Sequence, residues 1–331
     1  MKMTGRKLID IFIRNSIKML SLLLAVSFLS FLLVSLSPID PVGQYILELQ
    51  TAVSPEQRAE IEEYWGVNEP PVERYFHWMT EVLQGDLGES VIYRRPVAEI
   101  IGERFINSLA LMLCAWLISG IFGFILGIVM GRYYDRWPDK ILKKICYILS
   151  SMPTFWIGLL LLLIFGVWLK WFPIGFSSPI GVLSRDVSLG EKIYHLILPA
   201  FTLSLMSFSG IALHTREKLW DVMNSDYVLF ARTRGEDEWT ILKRHGIRNV
   251  ILPALTLQFS SFAELFGGSV IAENVFSYPG LGSAVSAAGL QSDLSLLLGI
   301  TLFSALFVCT GNMIANLLYR IVDPGIREVK E

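Results

Sequence analysis

The sequence predicts an all-α integral membrane protein with six transmembrane helices and both termini in the cytoplasm. Three observations predict it. The 331 residues are 53% hydrophobic and 18% charged, with a mean hydropathy of +0.52, which is too apolar for a soluble domain of this size. Six apolar runs approach or exceed the roughly 20 helical residues that cross a bilayer core. Lysine and arginine gather in alternate connections, the asymmetry that sets sidedness.

The first apolar run covers about residues 19–36. It is long for a signal peptide, and Pro38-Ile39-Asp40-Pro41 is no small-residue cleavage site, so it reads as a retained span. The others cover about residues 108–130, 145–169, 195–213, 251–276 and 294–319. Lys2, Arg6, Lys7, Arg14 and Lys18 precede the first span. Arg132, Arg136, Lys140, Lys143 and Lys144 separate the second from the third. Arg232, Arg234, Lys243, Arg244 and Arg248 separate the fourth from the fifth. These three regions are expected on the cytoplasmic side. Residues 38–107 carry five Lys/Arg against thirteen Asp/Glu, and residues 276–293 carry no Lys or Arg, so both are expected outside.

The external segment 38–107 is too long for a plain connector. Ser54-Pro55-Glu56-Gln57 predicts a capped helix start, with Gly66 as its stop after about Trp65. A second helix is expected over about residues 72–83, a turn at Gly85-Asp86-Leu87-Gly88, and a short helix over about 97–105. The segment is a solvated acidic cap or a docking surface for an external partner. Ser151-Met152-Pro153-Thr154 predicts a kink near the start of the third span. Pro199 and Pro253 are expected in the first turns of the fourth and fifth spans.

The fifth span holds Glu264, read as the one carboxylate deep in apolar surroundings; Glu273 is read as closer to the outer face and hydrated. An ionisable group inside a membrane costs at least a few kcal/mol, so Glu264 should face protein or water. With Ser260, Ser261, Gly267 and Gly268 it forms a small, polar stripe that lines a translocation path or makes a close helix interface. In the polar loop, residues 214–250, Ala231 and Gly235 lie four apart. They predict a small-residue face on a short helix that another protein approaches closely.

Several chemistries have no residues to carry them. There is no GxxxxGK[ST] phosphate loop, no HExxH and no GxSxG. His77, His195, His214 and His245 are scattered, and Cys114, Cys146 and Cys309 have no ligand spacing. No catalytic residue, fixed metal site or bound cofactor is therefore expected, and a net charge of −2 gives no pull towards nucleic acid.

The chain carries, in order, Asp40-Pro41, GDLGES from Gly85, SMPTFW from Ser151, ARTRG from Ala231, RHGIRNVILP from Arg244, ENVFSYPGLG from Glu273, and Asp323-Pro324-Gly325-Ile326-Arg327. In these motifs it resembles the permease subunits of ATP-binding-cassette (ABC) importers of the peptide/nickel group. The family's loop signature is Glu-Ala-Ala-x-x-x-Gly followed by Ile-x-Leu-Pro. Ala231, Gly235 and Leu252-Pro253 match it, while Leu229 and Phe230 stand in place of the Glu and the first Ala.

The resemblance implies a type I ABC importer permease. Residues 1–37 would form the N-terminus and first span, 38–107 an external helical segment, and 108–331 a five-span core with coupling loop 214–250. A coupling helix over about residues 225–235 would engage an ATPase through Asp226, Tyr227, Ala231, Arg232 and Gly235. The implied partners are a second, non-identical permease, two ABC ATPase subunits that hold ATP and Mg, an extracytoplasmic substrate-binding protein, and the lipid of a bacterial or archaeal inner membrane. Ala263-Glu264-Leu265-Phe266-Gly267-Gly268 resembles the nickel-type first permease, so nickel or a metal chelate is the expected cargo, with an oligopeptide or dipeptide as the alternative. Readings of another class are an ion-gradient-driven transporter or a non-transporting scaffold.

Overall fold

The computed structural model describes residues 5–36, 42–43, 46, 53–64, 69–179 and 187–322, with backbone alone at 5–12, 61–64, 263 and 315–322. The chain divides into two compact units, Met1–Ile106 with Ser283–Thr310, and Asn107–Gly282 with Gly311–Glu331.

The first unit opens with α1 (Gly5–Ser35), whose apolar length is set by the first hydrophobic run. Helix α2 (Pro55–Tyr64) starts as the capping box requires: Gln57 N–H donates to Ser54 Oγ (3.2 Å) and Ser54 N–H to Gln57 Oε1 (3.0 Å). The expected stop at Gly66 lies outside the described residues. Helix α3 (Pro71–Leu83) ends at Gly85, which takes φ +90° so that Asp86 N–H reaches Glu81 O (3.0 Å) and Gly85 N–H reaches Val82 O (3.0 Å). Tyr75 of α3 is buried against α1, where its hydroxyl pairs with Ser27 Oγ (2.9 Å) and its ring meets Phe28 and Phe31 edge-on. A two-residue ribbon pairs β1 (Glu89–Ser90) with β2 (Arg95–Pro96). Fully buried Asp293 fixes it, accepting from Ser90 Oγ (2.6 Å) and Ile92 N–H (3.1 Å), and it caps the following helix at Leu296 N–H (3.1 Å).

Helix α4 runs without a break from Val97 to Arg132. The separate short helix expected over 97–105 is therefore the first three turns of a longer one; no residue between Phe105 and Leu109 breaks the helix.

In the second unit, α4 is followed by α5 (Trp137–Ser151), α6 (Thr154–Leu161) and a π-helical turn, Leu162–Trp168. Then come α7 (Leu189–Met223), α8 (Asp226–Thr233), α9 (Glu238–Ile241), a second π-helical turn (Leu242–Ile247) and α10 (Arg248–Val275). Helix α11 (Leu281–Leu290) and helix α12 (Leu294–Val322) follow, with Ser283–Thr310 belonging to the first unit.

The close packing of this unit comes from glycine. Gly123, Gly127 and Gly131 line one face of α4 and bring it onto the backbone of α7. A Cβ at Gly123 would lie 2.9 Å from Phe208 O, and one at Gly127 2.7 Å from Ala212 O. One at Gly131 would lie 3.1 Å from Arg216 O. Such small-xxx-small faces are what hold apolar helices together when no hydrophobic drive separates helix from lipid. On the same helix, Trp116 Nε1 donates to Gln258 O (2.7 Å) and Gln258 Nε2 to Trp116 O (2.5 Å), joining α4 to α10.

Among the described residues, four helices are long and apolar enough to cross a membrane: Ile13–Ser35, Val97–Arg132, Leu189–Met223 and Leu294–Ile314. The count reaches six if two bent pairs each make one span. Where one kinked span was expected over 145–169, α5 and the Thr154–Trp168 segment meet at 110°. Met152 is extended (φ −91°, ψ 140°), as a residue before proline prefers, and Pro153 starts a new helix. The second pair bends by 55° between Phe262 and Glu264.

The two prolines also differ from expectation. Pro199 and Pro253 lie inside α7 and α10, not in their first turns. Helix α7 starts earlier because Ser188 caps it: Glu191 N–H donates to Ser188 Oγ (3.3 Å) and Ser188 N–H to Glu191 Oε2 (2.9 Å). Helix α10 continues directly out of the second π turn.

Candidate functional site

The loop between α7 and α10 is built around α8. Its inner side places Val228 and Ala231 in a buried cluster with Leu219 and Met223 of α7, Ile241 of α9, Leu242 and Val250. Gly246 belongs to the same contact, since a Cβ there would lie 2.9 Å from Leu219 Cδ1.

The expected small-residue docking face does not form. Ala231 points inward and is 4% exposed. Gly235 is past the helix end, at φ +82°, where Glu236 N–H reaches Ala231 O (3.2 Å) and Gly235 N–H reaches Arg232 O (3.0 Å). Its role is to end α8, because a left-handed residue costs about 1–2 kcal/mol with any side chain. The eight-residue helix is too short for positions 231 and 235 to share its surface.

What α8 exposes is largely apolar. Tyr227, Leu229 and Phe230 are 47%, 59% and 63% exposed. Asp226 begins the helix on the outside, and Arg232 bonds Glu238 (2.9 Å). Asp237 caps α9, accepting from Trp239 N–H and Thr240 N–H (3.1 Å each). The Thr240 hydroxyl, with these amides, holds the Asp237 carboxyl below the usual carboxylate range. Trp239 is exposed and carries Arg132 at 5.1 Å from its ring centre. Hydropathy alone missed this face, although the run Tyr227 to Phe230 in a charged loop is a readable signal.

The residues expected to line a path divide between two sides of α10. Ser260, Glu264 and Gly267 share an exposed strip at i, i+4 and i+7. Ser261 is half-buried and donates to Gln258 O (3.0 Å). Gly268 is buried against α7, where a Cβ would meet Leu203 Cδ1 at 2.9 Å. Gly268 is thus a helix-packing position.

The buried carboxylate of α10 is Glu273, not Glu264. Glu273 is fully enclosed, contrary to the hydrated position expected for it, while Glu264 is exposed. Ser108 Oγ donates to Glu273 Oε1 (2.6 Å), and Leu281 N–H donates to Ser108 Oγ (2.8 Å). Asn107 Nδ2 donates to Pro279 O (2.8 Å), and Tyr278 N–H to Glu273 O (2.8 Å). Gly280 packs so closely that a Cβ would overlap the Glu273 carboxylate. The run ENVFSYPGLG is therefore a clamp on the start of the α4 portion of this unit. Periodicity alone could not separate a clamped Glu273 from a hydrated one, because its partner Ser108 lies 165 positions away.

The comparisons with known proteins agree with this architecture. The family described as the binding-protein-dependent transport system inner membrane component matches residues 123–328. The chain is similar to the oligopeptide transport system permease protein AppB of Bacillus subtilis (strain 168), 34% identical over 315 residues, covering 95% of this chain and 98% of that protein. It is similar to a putative peptide transport system permease protein of Brucella abortus (strain 2308), at 34% identity over 92% of this chain and 95% of that protein. It is also similar to the glutathione transport system permease protein GsiC of Salmonella typhimurium, at 33% identity over 92% of this chain and 94% of that protein. The chain belongs to the family of inner membrane components of binding-protein-dependent transport systems and is a multi-pass membrane permease subunit.

Proposed function

We propose that this chain forms part of the translocation path of an ABC importer for short peptides, and that α8 is where an ATPase subunit pushes. The observation that carries the coupling reading is the α8 surface. Three large apolar side chains, Tyr227, Leu229 and Phe230, are exposed on one short helix of a charge-rich loop, a helix too well anchored to bury them itself. In the assembly they would seat in a groove of a separate ATPase, with Asp226 and Arg232 at the rim. Ala231 and Gly235 would set the shape of the helix without touching the partner. Two ATPases, a sibling permease and an extracytoplasmic binding protein would complete the importer, with six spans and both termini inside.

The peptide reading takes the place of nickel or a metal chelate as the cargo. The relatives described above carry oligopeptide, peptide and glutathione in their names, and they match over nearly the whole chain. Ser260, Glu264 and Gly267 would face the path, with Glu264 meeting the ammonium group of a peptide N-terminus.

In cells carrying the complete importer, Phe230→Asp is expected to lower uptake of a labelled dipeptide at least tenfold while the chain reaches normal levels in the membrane. Undiminished uptake would sink the coupling reading and favour a gradient-driven transporter. Glu264→Gln is expected to lower uptake of a peptide with a free amino terminus several-fold more than that of its N-acetylated form. Equal loss for both would assign Glu264 to structure. Nickel uptake without dipeptide uptake would restore the metal reading.

A further inference from the structure

Helix α5 carries a surface that the transport reading does not use. A shallow concavity of about 570 Å³ lies at its start, lined by Asp135, Arg136, Trp137, Lys140, Ile141 and Lys144. Lys140 and Lys144 lie one turn apart on α5, and Arg136, the residue before its first turn, lines the same concavity, so the three form one basic strip, and all are exposed. Beside it runs an apolar strip: Trp137 is 80% exposed, Ile141 49%, Ile145 44% and Ile148 58%. The opposite side of α5 is anchored, with Asp139 and Cys146 fully or almost fully buried.

The charge balance of the strip depends on where the acids point. Asp139 is turned inward and held by Arg216 of α7 at 2.5 and 2.7 Å, so its charge is spent inside the unit. Asp135 is at the rim, 3.6 Å from Lys140 Nζ. Three cations therefore face a single carboxylate across the concavity.

Orientation selects the occupant. Helix α5 is bent by 110° from the Thr154–Trp168 segment, so the two cannot cross a bilayer as one straight rod. If the second crosses, the first runs along the membrane surface. A surface helix with an apolar strip, an exposed tryptophan and a neighbouring lysine strip has the chemistry of an interfacial lipid contact. Arg132 at the end of α4 touches Trp239 of α9, so this end of the unit is the one that carries α8.

We propose that Arg136, Lys140 and Lys144, with Trp137 beside them, hold the phosphodiester headgroup of an anionic phospholipid, and that Ile141, Ile145 and Ile148 lie along its acyl chains. The site belongs to the cytoplasmic leaflet in the transport reading, but the lipid contact itself does not rest on that reading.

The test is lipid retention by the full-length chain, purified in detergent after exposure to equal amounts of phosphatidylglycerol and phosphatidylcholine and read by native mass spectrometry. The wild type is expected to keep phosphatidylglycerol in preference. The triple variant R136Q/K140Q/K144Q is expected to lose about tenfold or more of that preference, since each cation near a charged membrane surface contributes several-fold. The matched variant K170Q/K192Q, which removes two exposed cations beyond the far end of the Thr154–Trp168 segment and at the start of α7, should behave as wild type. If the triple variant does not fold, K140Q and K144Q are read singly, each with a loss of about threefold or more. No preference in the wild type, or an equal loss in the matched variant, overturns the proposal. Retention of inorganic phosphate with no lipid preference overturns it too, assigning the strip to a soluble anion.

Discussion

Asp139→Ala is expected to destabilise the folded chain by about 3–5 kcal/mol, the effect of leaving a buried charge without its counter-ion. Arg216 is 3% exposed and Asp139 fully buried. The carboxylate accepts from Arg216 Nε at 2.5 Å, from Arg216 Nη2 at 2.7 Å and from Asp135 N–H at 2.7 Å. Three donors lose their acceptor together. Glu217 also touches Arg216 through Nη1, but its side chain is 56% exposed and cannot replace an enclosed bidentate partner. Nearby, the Arg216 guanidinium lies 4.0 Å from the centre of the Tyr134 ring, which stacks on Trp220 at 3.8 Å. Unfolding of the purified chain in mixed micelles, followed by circular dichroism, measures the loss. The double variant Asp139→Leu with Arg216→Met should recover most of it, because a well-packed apolar pair can match a buried ion pair. A single variant as stable as the wild type would show that the pair is wet and contributes nothing.

Gly127→Val is expected to force α4 and α7 apart. The added Cβ would lie 2.5 Å from Thr215 Cβ and 2.7 Å from Ala212 O. A flexible side chain could turn away, but a carbonyl in the middle of α7 cannot move without its helix. Helices α4 and α7 must then separate along the whole face shared by Gly123, Gly127 and Gly131. Overpacking alone costs about 1–3 kcal/mol, and the lost contacts on either side add to it. Thr215→Gly in the same chain should restore little, since Ala212 O remains in the way. Thermal unfolding in detergent distinguishes the outcomes: full rescue would locate the conflict in the Thr215 side chain alone.

The spans and local caps were legible because they depend on residues close in sequence. Hydropathy marked the cores of α1, α4, α7 and α12, and Ser54 with Gln57 marked the start of α2. The proline at 153 was visible as a break, but its size was not, since a proline permits anything from a gentle kink to the 110° turn seen here. The Gly123, Gly127 and Gly131 spacing was present in the sequence; its partner helix was not. Ala231 was misread because an eight-residue helix gives too few turns to fix its inner face. Glu273 was misread because three of its neighbours, Ser108, Gly280 and Tyr278, come from outside its helix and one is distant in sequence.

The two-sided anchoring of α8 has a mechanical meaning. Val228 and Ala231 rest on Leu219 and Met223 before the helix and on Ile241, Leu242 and Val250 after it. They act as two stiff springs in parallel, not as one tether at the end of a slack arm. Packed interiors barely compress. A displacement of α8 by a fraction of an ångström is therefore delivered to α7 and α10 together, with little lost to backlash in the loop.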